Sequence, residues 1–383
     1  MNIAIVLLNQ GRGSGEVARA HAAHLAARGH KVWFIHPGVG SGVSGAVNVD
    51  VELHTATVPV HEYLPSAKGR QKAVSLMSYE EATAYLPSYL KALQPIIPQV
   101  DILIGHHANL SSVAVAEAAR AAGKPYVLFI HGTGIEPRKE GGFEERVWSR
   151  IEDAIQGASG ILVTTDYVRD SLVRPVVDLP ERKFLVLPCG VDLTAFAPGN
   201  TGGVREKYGL PDSFVLCPGA LTRAKGPQNV VEASREYDDL ATTVFIGDGD
   251  LREQLEGDIG RRGRFLGFVS AEDRTHLVNA ATVLTAAPEK MEHFGIIYAE
   301  ALAGGTVPVA YRGGGVPSVV SPEVGILTER TPRALGTAIR GLLEKAPRRE
   351  RMARAARERA ERKYDYEKLI TRLETWLAGL AGS

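Results

Sequence analysis

A strand, a glycine loop, a helix and a second strand occur in that order twice in this chain, once in each half. Asn2 to Leu8 is a continuous apolar run, followed by Gly11-Arg12-Gly13-Ser14-Gly15 and a helical stretch from Glu16 to Arg28. On that stretch Val17, Ala20, His21, His24 and Leu25 share one face, Gly29 closes it, and Lys31 to Ile35 forms the next strand. In the second half Phe214 to Cys217 is followed by the loop Pro218 to Gly226, a helix from Pro227 to Arg235 and the strand Thr242 to Ile246, which runs into Gly247-Asp248-Gly249-Asp250. Uninterrupted apolar strands are buried on both faces, as in parallel sheets covered by helices. Strands alternating with helices select an α/β architecture, and 383 residues are ample for two such domains.

The remaining elements follow the same grammar. Val49 to Val60 reads as one alternating strand and Tyr79 to Leu93 as one helix. Asp101 to His107 is a strand ending in two histidines, Ser111 to Ala122 a helix, and Tyr126 to Ile130 a strand that runs into His131-Gly132-Thr133-Gly134. Glu144 to Gln156 is a helix with a core stripe, Gly160 to Thr164 and Phe184 to Leu187 are strands, and Ala197 to Gly203 is a Pro- and Gly-rich linker. Phe265 to Val269 and Thr306 to Tyr311 are strands in the second half. Arg348 to Lys363 is a solvated charged helix, and a last helix carries Leu369, Leu373, Trp376 and Leu377.

Composition excludes several functions. Lys+Arg and Asp+Glu are both 44, so no basic surplus points to nucleic acid. Two cysteines, Cys189 and Cys217, form no disulfide framework and fit a reducing cytoplasm. Met1-Asn2 leads directly into a strand without a basic n-region, and no run approaches the ~18 apolar residues of a membrane span; peripheral contact with a membrane stays open. Dinucleotide binding at the first loop is disfavoured. Position 16 is Glu where the third glycine belongs, and strand two ends Ile35-His36-Pro37 without the acidic residue that holds a ribose.

The chemistry concentrates at Glu292-His293-Phe294-Gly295-Ile296 and the helix that continues through Glu300 to Gly304-Gly305. Gly295 falls at a helix N-terminus, where backbone N–H groups and the dipole attract phosphate. Glu300 lies roughly 7–8 Å further along the axis. Two acceptor-only carboxylates flanking a phosphate-binding helix end suit a ligand built of sugar, phosphates and ribose. A surface glutamate, a helix-face glutamate and a tight helix entry describe the same residues without any ligand. His106 and His131 sit at carboxyl ends of strands, where open parallel sheets bind ligands. The absence of a nearby third ligand speaks against a metal there. Ser66 to Lys72 is a short basic cluster, either a solvated loop or a dock for an anionic acceptor.

Glu-x-Phe-Gly followed by a second Glu resembles the signature of retaining glycosyltransferases of the GT-B type, family 4 in particular. The strand-end His106 and the strand ending in His131-Gly132 are similar to the same family, and Pro188-Cys189-Gly190-Val191-Asp192 with Phe196 resembles its interdomain crossing. The resemblance implies two Rossmann-like parallel-sheet domains facing a deep cleft, 1–195 on the acceptor side and 204–363 on the nucleotide-sugar side, with 364–383 crossing back to the first domain. It implies that Glu292 orients the donor sugar and that His131 lies beside the sugar and phosphates. The diphosphate would meet His293, Phe294, Gly295, Ile296 and Lys225, with the Gly13 and Gly15 loop over it. Glu300, Gly247 and Val269 would take the nucleoside, and Glu16 and His106 the acceptor side. The resemblance further implies a nucleotide-diphosphate sugar as co-substrate, no other cofactor and no metal, and transfer with retention of configuration by same-face displacement. Three positions depart from the family: Ala220 replaces a phosphate-binding arginine, for which Arg223 can substitute; Cys189 stands for asparagine; Ser318 stands for a frequent Glu. An epimerase or hydrolase on the same scaffold, and a non-catalytic nucleotide-sugar sensor, are the alternatives.

Overall fold

The structure, a computed structural model, describes residues 1–9, 13–38, 42–61 and 70–382. Gly11, Arg12 and residues 66–69 of the basic cluster lie outside the described residues. The chain forms two compact units, Met1–Pro188 with Glu367–Ser383, and Cys189–Tyr366. The division falls at Cys189 rather than in the Pro- and Gly-rich stretch 197–203. The Asn279 side-chain amide donates to the carbonyls of Ala195 and Asn200, tying that stretch into the second unit.

The first unit contains strands β1 (Asn2–Val6), β2 (Lys31–His36), β3 (Val47–Asp50), β4 (Thr57–Val60), β5 (Arg70–Ala73), β6 (Ile102–His106), β7 (Tyr126–Ile130), β8 (Gly160–Val163) and β9 (Phe184–Val186). Its main sheet is parallel throughout, in the order β3-β2-β1-β6-β7-β8-β9. β4 and β5 pair separately, in parallel, with Thr57 opposite Arg70. The second unit contains β10 (Phe214–Pro218), β11 (Thr242–Ile246), β12 (Gly263–Phe265), β13 (Val283–Ala286), β14 (Val307–Tyr311) and β15 (Ile326–Thr328). These form a parallel sheet in the order β12-β11-β10-β13-β14-β15. Within each unit the chain winds outward from a central strand, then returns and winds the other way. This is the doubly wound Rossmann order, with its reversal between β1 and β6 in one unit and between β10 and β13 in the other.

Burial explains the strands. Ile3, Ala4, Ile5 and Val6 are wholly buried, as are Phe214, Val215 and Leu216, because helices cover both faces of each sheet. The last helix, Tyr366–Ala381, buries Leu369, Ile370, Leu373 and Leu377. It is clamped to the first unit by Arg28, whose guanidinium donates to Thr371 Oγ1 at 2.9 Å and to Glu367 Oε2 at 2.6 Å and also pairs with Glu374. Trp376 covers Gly160, where a Cβ would collide with its ring.

Four local expectations are corrected. The first helix begins at Gly13, not Glu16, so Gly13, Ser14 and Gly15 form its first turn. Residues 79–93 form two helices, Tyr79–Thr83 and Leu86–Leu93, because Pro87 has no N–H and its ring obstructs the carbonyl four residues back. Val49 to Val60 splits into the end of β3 and β4. The strand expected over 265–269 is 263–265. It stops because Gly267 turns to φ +68°, leaving Phe268 exposed and Val269 half-buried in a loop.

Candidate functional site

In the second unit the loops after β10 and β13 leave the sheet at its reversal point, where open α/β sheets bind ligands. The loop after β10 carries Arg223 and Lys225 in a short turn that ends at Gly226, φ +68°. A Cβ there would overlap the Ala287 carbonyl oxygen, so glycine lets this loop lie against the one after β13. Further bonds join them. Glu289 N donates to Ala224 O at 3.0 Å, and the Asn229 amide donates to Ala287 O at 3.0 Å. Arg330 holds the other side, donating to the carbonyls of Pro288 at 2.7 Å and Glu289 at 2.9 Å while lying over the Tyr311 ring. The result brings Lys225 Nζ to 3.4 Å from Glu292 Oε1, though 67 residues separate them.

The turn after β14 completes this edge. Gly315 N donates to Glu292 O at 2.8 Å, and a Cβ on Gly314 or Gly315 would strike the carbonyl of Glu292 or His293. Ser318, standing for the family's glutamate, donates to Gly315 O at 2.6 Å and so braces that turn. Gly295 then caps the helix Ile296–Gly304 in the left-handed region, φ +84°. Phe294 is buried edge-on against Tyr364, and His293 is half-buried. The start of this helix, like any helix N-terminus, concentrates backbone donors and the positive end of the dipole.

Glu300 lies on the same helix and is paired. Arg274, from the helix Ala271–Ala280, engages both its oxygens, Nη1 on Oε1 at 3.1 Å and Nη2 on Oε2. Burial pushes the Glu300 carboxyl up from its ordinary range, and Arg274 opposes that. Gly247 has its N–H committed to Gly267 O at 2.8 Å, and its lack of a Cβ admits the Gly219 carbonyl. Arg223 is exposed, and its carbonyl accepts from Gln228 Nε2 at 3.2 Å. Cys189 is buried, with its thiol pushed up to about 12 by burial.

The first unit assembles histidines at the ends of β6 and β7. His106 Nδ1 and His131 Nε2 share a hydrogen bond at 2.9 Å, and the His131 ring stacks on Phe129 at 4.0 Å. His107, at φ +68°, shares a hydrogen bond with Ser14 Oγ at 2.8 Å, and its ring lies 4.3 Å from that of His61 and 4.7 Å from that of His131. A non-glycine residue held in that region is strained, and such strain gathers at functional sites. Asn109 organises the corner: it caps the helix Leu110–Ala121 by accepting from Ser111 N and Ser112 N, and its amide reaches His106 O and His61 Nε2. Burial lowers His21 and His61 to about 4 and His106 to about 3, so these rings are neutral at pH 7. His106 is 1% exposed, so its ring bears on His131 rather than on solvent. Gly13 and Gly15 lie in the first helical turn, and Glu16 is an exposed partner of Arg19. No group of metal-ligating side chains occurs among the described residues.

His61, Asn109, Ser14, Arg274 and Arg330 were not singled out in the sequence. Each takes its place through partners distant in the chain, and no local spacing marks it.

Two family models match the chain, Glycosyltransferase Family 4 over residues 11–195 and Glycosyl transferases group 1 over residues 204–359. The chain belongs to the group 1, family 4 glycosyltransferases. Among curated members of the group, it is 31% identical over 270 residues to D-inositol 3-phosphate glycosyltransferase 1 of Catenulispora acidiphila, covering 64% of each chain. It is 28% identical over 207 residues to the GDP-mannose-dependent alpha-(1-6)-phosphatidylinositol dimannoside mannosyltransferase of Mycobacterium tuberculosis, covering 52% of this chain and 53% of that one. The matches thus span between about half and two thirds of these relatives' length. The fold is that of GT-B glycosyltransferases. Sucrose-phosphate synthase of Thermosynechococcus elongatus superposes with a TM-score of 0.81 at 19% identity over the whole of both chains. HepE of Anabaena, in complex with UDP, gives 0.76 at 18% identity over 99% of this chain and 100% of that one.

Proposed function

We propose that this member of the group transfers a sugar from a nucleoside-diphosphate sugar to an acceptor hydroxyl, with retention of configuration and without a metal ion. The observation that carries the reading is the meeting of Lys225 and Glu292, at 3.4 Å, beside the N-terminus of the helix Ile296–Gly304. It puts a cation and a carboxylate beside a helix start at the reversal point of a Rossmann sheet. The names of relatives support the donor class, one being GDP-mannose-dependent and one structural neighbour holding UDP.

In the reaction the bond from the anomeric carbon to the leaving diphosphate breaks while a bond to the acceptor oxygen forms on the same face. The acceptor's proton passes to an oxygen of the leaving phosphate, so charge and atoms balance. Charge grows on the diphosphate, and Lys225, Arg223 and the amides around Gly295 are assigned to stabilise it. Losing one such donor costs about 10²–10³ in rate. Glu292 is assigned to orient the sugar and His131 to hydrogen-bond it. Glu300 receives ribose hydroxyls.

The test is incubation with uridine, guanosine and adenosine diphosphate sugars and candidate polyol acceptors, followed by proton NMR of the product's anomeric signal. A product of the donor's own configuration, formed equally in EDTA, is expected. An inverted product, an epimerised donor, or a rate abolished by EDTA and restored only by Mg²⁺ contradicts the reading.

A further inference from the structure

Glu292 stands on a stretch without regular structure, 287–293, between β13 and the helix Ile296–Gly304. Pro288 has no N–H, so this loop is short of backbone donors and depends on its neighbours. On one side it is tied to the loop of Lys225, through Glu289 N on Ala224 O and the Asn229 amide on Ala287 O, both at 3.0 Å. On the other side stands Arg330. Its Nη2 carries two hydrogens and donates to Pro288 O at 2.7 Å and to Glu289 O at 2.9 Å. Its Nη1 lies 3.8 Å from Met291 Sδ, and that sulfur rests on Gly313, where a Cβ would collide with it.

Arg330 is itself fixed. It follows β15 and precedes the helix Pro332–Leu343, whose cap Thr331 accepts from Ala334 N at 3.3 Å. The guanidinium lies over the ring of the buried Tyr311, 5.3 Å from its centroid. It thus carries the position of β14 and β15 to residues 288, 289 and 291, while the Glu292 carboxylate pairs with Lys225. A group that orients a reacting substrate tolerates little displacement: about 1 Å, transmitted from a distant substitution, costs about 10² in rate.

We propose that Arg330 is a positioning residue for sugar transfer: by fixing the backbone that leads into Glu292, it sets where that carboxylate is presented. This rests on the glycosyltransferase reading of the second unit. The groups assigned to the diphosphate are anchored separately. Lys225 sits in the turn closed by Gly226, and the amides around Gly295 lie beyond the bond from Gly315 N to Glu292 O. Loss of Arg330 therefore acts on the sugar and spares the nucleotide.

The experiment compares kcat for transfer with calorimetric affinity for the matching nucleoside diphosphate. The donor is whichever of the uridine, guanosine and adenosine diphosphate sugars the wild type turns over with polyol acceptors. Arg330→Met, which keeps the length but no donor, should lower kcat by about ten- to a hundredfold. Its nucleotide Kd should stay within about twofold of wild type, the split expected when only the transition state loses support. Arg330→Lys, long enough to donate to both carbonyls, should keep more of the rate. In the Glu292→Gln background, Arg330→Met should cause no further loss. Thermal unfolding reports the fold of each variant; should the Met variant not fold, Arg330→Gln, too short to reach both carbonyls, replaces it with the same expectations. The proposal is overturned by a Met variant with wild-type kcat, by a nucleotide affinity that falls in step with kcat, by a Lys variant as slow as Met, or by losses that multiply with Glu292→Gln. Wild-type protein that binds none of UDP, GDP and ADP overturns the glycosyltransferase reading itself, and this proposal with it.

Discussion

Lys225 and Glu292 form an ion pair across two loops of one Rossmann sheet, with Nζ 3.4 Å from Oε1. The cation assigned to the diphosphate is thus paired with the carboxylate assigned to the sugar. The two side chains are 48% and 32% exposed, so the pair adds little to stability. Lys225→Ala and Glu292→Gln should therefore unfold within about 2 °C of wild type while turnover falls by about 10²–10³. Near-normal turnover in both purified variants would remove the site assignment.

The buried histidines of the first unit make its stability fall in acid. His21 is held at about 4 and His106 at about 3, both below the ordinary 6.5, chiefly by burial. The unfolded chain then binds more protons than the folded one below pH 6.5. Their contribution is complete above that value and is lost as pH falls towards 4. Between pH 7 and 5.5 each should cost about 1 kcal/mol. Calorimetric scans should show a melting temperature that drops over this range, and less so in His21→Phe. A melting temperature flat from pH 7 to 5 would show these rings to be accessible and readily charged.

Gly226 is the hinge of the loop that carries Lys225. Its φ of +68° and the overlap of any Cβ with the Ala287 carbonyl leave no room for a side chain. Gly226→Ala should push the two loops apart and weaken nucleoside diphosphate binding at least tenfold. Circular dichroism should show the sheet intact. Gly257→Ala, on an open helix surface with nothing within 4 Å, is the control and should change neither.

Arg28 clamps the last helix to the first unit through Thr371, Glu367 and Glu374, and His30 Nε2 adds a contact to Glu374 at 2.7 Å. Arg28→Met should destabilise this unit by about 1–2 kcal/mol in urea titration. A double-mutant cycle with Glu374→Gln should show coupling between the two positions. Additive effects would mean that the helix is held by Leu369, Ile370, Leu373 and Leu377 alone.

What could be read from the chain beforehand follows from the range of each interaction. The strands were legible because a parallel strand buried on both faces writes itself as a run such as Asn2 to Leu8. The Gly295 helix entry and the placement of Glu300 were legible because helix geometry is local. Pro87 inside the 79–93 run carried the helix break in plain view, and Gly267 the end of β12. The partners were not legible. Arg274 reaches Glu300 across 26 residues, and His61 reaches Asn109 across 48. Only the sheet order decides which loops meet, and no local pattern in a single sequence encodes it.

The most direct measurement is a crystal structure of the protein with a nucleoside diphosphate bound. The diphosphate should lie within hydrogen-bonding distance of Lys225 and of the backbone N–H groups at Gly295 and Ile296, with the ribose hydroxyls on Glu300. A diphosphate bound elsewhere on the second unit, with the Lys225–Glu292 pair undisturbed, would contradict the account.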